Sequence, residues 1–252
     1  MNEEINHQIA AIEQTHGVRV LYACESGSRA WGFASPDSDF DVRFIYLQPR
    51  NNYLSIHERR DVIELPVNEV LDVNGWDIRK ALQLFLKSNA PLYEWLQSPI
   101  VYKDQSGFAA ELRELMPKYF SHRAGCHHYL SMARNIFEND LQGEQVKLKK
   151  YFYALRPALA CLWILEKRAV PPMEFGHLRT LIIDTTWQQA VDDLLNRKKV
   201  AGEKELIEPI PSLQEWIATT IAECKEEADA LTAITRDTEQ LDQIFRSSIE
   251  GI

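Results

Sequence analysis

Two aspartates, Asp39 and Asp41, are separated by a single residue, and about ten residues upstream a glycine and a serine, Gly27 and Ser28, stand side by side. Phe40, Val42, Phe44 and Tyr46 alternate with Asp39, Asp41 and Arg43, which is strand periodicity. Side chains two apart on a strand share a face, so the two carboxylates project the same way, about 6 to 7 Å apart at the backbone. They repel one another and lose hydration unless a cation compensates. Oxygen-only donors favour Mg²⁺ or Mn²⁺ over zinc or copper. A Gly27-Ser28 turn opening a short helix through Arg29 to residue 31 offers backbone N–H groups and a hydroxyl to phosphate oxygens. Metal and phosphate would then meet. The same residues also admit a plainer reading, a charged strand edge that resists aggregation.

The elements that must hold these residues follow from periodicity. Residues 3–16 space Ile5, Ile9 and Ile12 for one helical face, with Gly17 as a stop. Residues 18–24 form a buried strand, 39–47 a second, 61–65 a third ended by Pro66, and 69–73 a fourth. Asn74-Gly75 signals a turn into a helix over 76–87. From about residue 91 every segment reads as helix: 91–96, 107–119, 121–140 with Ser121 as cap, 144–168 kinked or divided at Pro157, 174–183, 186–198, 203–208, 211–234 and a terminal one. The fold class is α+β: a small mixed β-sheet core with flanking helices over 1–98, then an all-α helical domain over 99–252, with the active site expected between them.

The run Glu-Ser-Gly-Ser-Arg-Ala-Trp-Gly-Phe-Ala-Ser-Pro-Asp-Ser-Asp-Phe-Asp-Val-Arg at 25–43 resembles the nucleotidyltransferase core of the DNA polymerase β superfamily. More narrowly, it resembles the RNA-ligase-associated or RNA-repair-pathway (RlaP-like) branch. Gly75-Trp76-Asp77, Glu94-Trp95-Leu96 with Ser98-Pro99, and Lys150-Tyr151 with Leu155-Arg156-Pro157 are similar to that branch too, and the resemblance covers roughly 18–176. It implies an NTP, ATP favoured, with its phosphates on Gly27 and Ser28 and with Asp39 and Asp41 holding Mg²⁺ (or Mn²⁺). A third acid is required, for which Asp72 in the fourth strand and Asp77 at the following turn compete; the family's Gly-Trp-Asp favours Asp77. The implied reaction passes a nucleoside monophosphate to an acceptor hydroxyl, releasing pyrophosphate, with an RNA end as acceptor. Two alternatives stand beside it: AMP transfer to a protein or small molecule, and a non-catalytic nucleotide- or RNA-binding partner of an RNA ligase.

Composition bounds the rest. The 252 residues are 45% hydrophobic with a net charge of −9, and no run of eighteen apolar residues suggests a membrane span. The start has neither the basic nor the apolar region of a signal peptide, so cytoplasm is the expected location. Cys24, Cys126, Cys161 and Cys224 are scattered through apolar or helical surroundings, which reads as reduced buried thiols. His122 and Cys126 share a helical face, but zinc wants four ligands and no second cluster pairs with them. The acidic charge sits mostly at 203–250, whereas 144–168 is locally basic, as a polyanion requires. There Lys149, Lys150, Tyr153 and Arg156 are the candidates for triphosphate or RNA contact, beside Arg29 near the acids; the plainer reading is a solvated stripe above an apolar face.

Overall fold

The computed structural model describes residues 1–66, 70–105, 107–200 and 202–250. In chain order its elements are α1 (Asn2–His16), β1 (Arg19–Glu25), α2 (Gly27–Trp31), β2 (Phe40–Leu47), α3 (Arg50–Tyr53), β3 (Val62–Glu64), β4 (Leu71–Asp77), α4 (Ile78–Leu86), α5 (Ala90–Trp95), β5 (Val101–Asp104) and α6 (Phe108–Tyr119). They continue with α7 (His122–Asp140), β6 (Val146–Lys147), α8 (Leu148–Lys167), α9 (Phe175–Leu178), a 3-10 turn (Arg179–Leu181), α10 (Thr185–Lys198), β7 (Leu206–Ile207), α11 (Pro211–Asp229) and α12 (Glu239–Glu250). The fold is α+β. The polypeptide forms two compact units, one of Met1–Gly27, Asp39–Tyr119 and Thr235–Ile252, the other of Ser28–Ser38 and Phe120–Ile234. The division expected at residue 98 therefore falls elsewhere. β5 pairs with β1 and keeps the chain in the first unit past residue 98, while 28–38 belongs to the second.

The first unit is built on a five-stranded sheet of order β3-β4-β2-β1-β5. β1 runs antiparallel to β2 and β5, and β2 runs parallel to β4. Ile5, Ile9 and Ile12 of α1 bury against Val42, Phe44, Tyr46 and Val73, so the alternation read in β2 does turn one side chain set into a core. Gly17 caps α1 in the left-handed conformation, as a glycine can without a Cβ clash.

Two sequence expectations fail in this unit for a packing reason. Asn74-Gly75 is not a turn but the middle of β4, and the fourth strand runs on to Asp77. The residue is glycine because the Phe44 ring lies over it: a Cβ at Gly75 would meet that ring 2.2 Å away. Close approach, not a bend, selects the glycine. The helix expected over 76–87 consequently begins later, at Ile78. The proposed start of that fourth strand, residue 69, lies outside the described residues. β5 was missed because four half-exposed residues, Val-Tyr-Lys-Asp, carry little periodicity; pairing with β1 makes them a strand.

The second unit packs α7, α8 and α11 together, and α8 continues through Pro157. The helix expected over 203–208 is instead β7, which pairs with β6 at the start of α8. Cys24, Cys126, Cys161 and Cys224 are buried free thiols. Among the described residues no helix is long and apolar enough to cross a membrane.

Candidate active site

The first unit gathers its acids at one end of the sheet. Parallel pairing sets Asp41 directly beside Asp72. Paired residues of neighbouring strands share a face, and one arginine uses that fact: Arg43 Nη2 lies 2.7 Å from Asp41 Oδ1 and 2.7 Å from Asp72 Oδ2. Its Nη1 also donates to the carbonyls of Val42 and Asp72. Gly27 closes the other side. With φ of +59° it occupies the left-handed region, and a Cβ there would stand 1.9 Å from Asp41 Oδ2. Glycine is demanded twice, by conformation and by the carboxylate resting on it. The Ser26 N–H donates to the Asp41 carbonyl at 2.8 Å, which ties the turn to β2.

A further carboxylate enters that sequence reasoning did not single out. Glu25, fully buried, accepts the Asp41 N–H at 2.9 Å and the Tyr102 hydroxyl at 2.5 Å. Its signal was an acid closing an otherwise apolar strand immediately before the Ser26-Gly27 turn. Burial, offset by Arg43 and reinforced by Asp39, Asp72 and Glu25, pushes the Asp41 carboxyl up to about 6. Asp39, one residue before β2, is exposed.

Asp77 is not part of this group. Its partner on β2 is Tyr46, five residues beyond Asp41, or about 16 Å along the strand. It also shares the parity of Leu71 and Val73, which face the α1 core, whereas Asp72 faces the opposite way. Asp77 caps α4 by accepting the Arg79 N–H at 2.8 Å, and it accepts from the Tyr53 hydroxyl at 2.8 Å and Gln48 at 3.2 Å. Burial raises its pKa against those three hydrogen bonds. It lines a separate polar cavity of about 230 Å³ with Arg59, Asp61 and Lys80. The structure thus places Asp77, expected as the third acid beside Asp39 and Asp41, apart from Asp41, whereas the pairing register sets Asp72 beside it.

The remaining candidates belong to the second unit. The Ser28 hydroxyl donates to Ser38 Oγ at 3.1 Å, and Arg29 donates to the Ser38 carbonyl at 2.5 Å. Lys149 pairs with Glu203 at 3.0 Å and Lys150 with Asp140 at 3.0 Å. Tyr153 stands edge-on to Trp31, with ring centroids 5.8 Å apart. Arg156 is 2% exposed, lies over the Trp31 ring at 4.5 Å and donates to the Met173 carbonyl at 3.0 Å. Arg156 therefore works as a packed cation–π element of this unit and offers no guanidinium at a surface, contrary to its expected role toward phosphate or RNA.

The donors near Asp41 are all hard oxygens, the set that suits Mg²⁺ or Mn²⁺. Asp41 and Asp72 already share one cation, the Arg43 guanidinium, so the charge complement is right. Among the described residues no group of three or more His, Cys, Asp or Glu stands ready to hold a metal ion. Asp41 and Asp72 have the donor chemistry that suits such an ion, and Arg43 lies between their carboxylates, where an ion would contest it.

A glycine turn packed on the second acid of an Asp-x-Asp sequence, with a neighbouring parallel strand supplying another, is the arrangement of a nucleotidyltransferase-like protein. A model of the RlaP family, described as RNA repair pathway DNA polymerase beta family, matches residues 1–247, and the chain belongs to that family. It is 44% identical over 254 residues to YcgL of Bacillus subtilis (strain 168), described as an uncharacterized protein, which covers 100% of this chain and 98% of the relative. A solved structure of a nucleotidyltransferase-like protein from Exiguobacterium sibiricum 255-15 is similar at 14% identity, covering 90% of this chain and 75% of that one, with a TM-score of 0.31.

Proposed function

We propose that the chain is a Mg²⁺-dependent nucleotidyltransferase that moves a nucleoside monophosphate from an NTP, ATP favoured, to an acceptor hydroxyl, and that the acceptor is an RNA end. The observation that carries this reading is the pairing of Asp41 with Asp72 across β2 and β4, which builds a cation-holding pair of carboxylates beside a glycine turn. The RNA acceptor draws its support from the description of the family.

Asp39, Asp41 and Asp72 would hold the divalent ion, which when bound neutralises phosphate charge and acidifies the attacking hydroxyl. The chain's own contribution is positional. Gly27 lets the backbone turn approach within contact of Asp41, a place any larger residue would fill. Glu25 and the Ser26 N–H fix the backbone of Asp41 on both its N–H and its carbonyl, so the carboxylate has one aim. In the transfer itself the acceptor oxygen forms a bond to the α-phosphorus as the bond to the bridging oxygen breaks, pyrophosphate leaves with that electron pair, and the hydroxyl proton passes to solvent or to a carboxylate of the group.

Incubation with Mg²⁺ and α-labelled ATP, with and without RNA bearing a free 3′ hydroxyl, tests this. Label in RNA together with pyrophosphate is the expected result. Label in protein would redirect the reading to AMP transfer onto a side chain. No pyrophosphate with any NTP or acceptor would overturn it in favour of a binding partner of a ligase.

A further inference from the structure

The serine expected to meet phosphate leads, through one neighbouring hydroxyl, to an anion that belongs to the chain. Ser28 Oγ donates to Ser38 Oγ, which donates to Glu203 Oε1 at 2.6 Å. Two ammonium groups converge on the same carboxylate, Lys149 Nζ at 3.0 Å from Oε2 and Lys198 Nζ at 3.2 Å from Oε1. Lys198 is 2% exposed and also donates to Ser35 Oγ at 2.7 Å. A buried ammonium group is costly unless an anion and hydrogen-bond acceptors compensate it. Burial works against ionisation of Glu203, yet the hydrogen bonds from Ser38 and Lys149 and the charges of Lys198 and Lys149 outweigh it and hold its carboxyl at about 2.

We propose that Ser28, Ser38, Lys149 and Lys198 form a polyphosphate site, and that Glu203 occupies it as an internal stand-in which must swing out before the triphosphate enters. The inference rests on the nucleotidyltransferase reading for the identity of its ligand, and on the second unit alone for its geometry. Three features favour exchange over a permanent clamp. A carboxylate and a phosphate accept the same donors, here one hydroxyl and two ammonium groups. Glu203 is not sealed in: its side chain retains 20% exposure, so rotation about its own bonds leads to water. Its backbone is anchored separately, since the Glu203 N–H donates to both Asp37 carboxylate oxygens at 3.1 Å. The carboxylate can therefore leave without the segment unfolding.

Calorimetric titration of the full chain with tripolyphosphate, in EDTA and low salt, tests the site without metal or catalysis. Glu203→Ala is expected to bind tripolyphosphate roughly 10- to 100-fold more tightly than wild type, the worth of one or two charge-assisted hydrogen bonds released to the ligand. Lys149→Met on that background should reverse most of the gain. Glu203→Gln, which keeps the side chain's bulk and one acceptor, should show a smaller gain and serves if the alanine variant does not fold. Unchanged or weaker binding in a folded Glu203 variant would overturn the proposal and leave Glu203 as a structural clamp of residues 28–38. The two readings part cleanly. A gain in tripolyphosphate affinity with no pyrophosphate released from any NTP would sink transfer and keep the anion site; transfer with no gain would do the opposite.

Discussion

Each unit closes a pair of like charges on an ion of its own, and the two central ions are opposite in sign. In the first, two carboxylates from neighbouring strands close on the Arg43 guanidinium. In the second, two ammonium groups close on the Glu203 carboxylate. The first arrangement is rigid, because backbone pairing fixes Asp41 against Asp72 and Arg43 is further held by two carbonyls. The second depends on long side chains from α8 and α10 reaching a loop residue, and it reaches water on one side. On the proposed reading, a metal would contest a well-anchored arginine and a phosphate a rotatable glutamate. Charge groups that would repel if bare are stabilised by an internal counter-ion of the ligand's sign.

This contrast can be broken at several points. The largest effect is expected at the acids: Asp41→Asn and Asp72→Asn should each lower nucleotide transfer by at least about 10²–10³-fold, the scale of losing a preorganised charge at a reacting phosphate, with folding verified by circular dichroism. Full activity in Asp72→Asn would end the assignment of that residue. Gly27→Ala should destabilise the chain by roughly 2–4 kcal/mol, summing left-handed strain with the overlap on Asp41, measured by urea denaturation, and should lose transfer as well.

Asp41 also makes a pH statement. Its carboxyl sits at about 6 folded against 3.8 in the reference, so between those values the folded chain keeps a proton that the unfolded chain has released. Stability from this group therefore falls as pH rises through that window. Asp41→Asn should be more stable than wild type by on the order of 1–3 kcal/mol at pH 7.5 and nearly equal to it at pH 4, compared by thermal melting at both.

Asp77→Ala sharpens the distinction from the other direction. Loss of the α4 cap and of the partner for Tyr53 should destabilise by about 1–3 kcal/mol, while transfer per folded molecule stays at the wild-type level. An activity loss like that of Asp72→Asn would reinstate Asp77. The smallest effect is expected from Arg43→Met, which removes the competitor for the carboxylates and should raise Mn²⁺ affinity several-fold in a titration without nucleotide; weaker Mn²⁺ binding would show that Arg43 supports the ion and does not stand in for it.

Local pattern was enough to read α1, β1, β2 and the Gly27-Ser28 turn, because apolar spacing, a stop glycine and alternation are written within a dozen residues. The two acids and their turn could be found for the same reason. Asn74-Gly75 misled, since the dipeptide that usually marks a turn marks a contact with Phe44 here. Asp77 was favoured by the Gly-Trp-Asp resemblance, and nothing local to that tripeptide reveals which strand position its neighbour Asp72 pairs with. The basic stripe was found as charge, but charge alone did not tell an accessible lysine from Arg156 packed on Trp31.

Residue types and short spacings therefore settled which side chains are able to bind a cation or a phosphate, since those properties belong to the groups themselves. Which of them act together was settled by strand register and long-range packing. Asp72 meets Asp41 across 31 positions and Lys198 meets Ser35 across 163, and neither meeting leaves a trace in the composition near either residue. A parallel pairing in register, and the burial that forces every charge to find a partner, are properties of the folded chain.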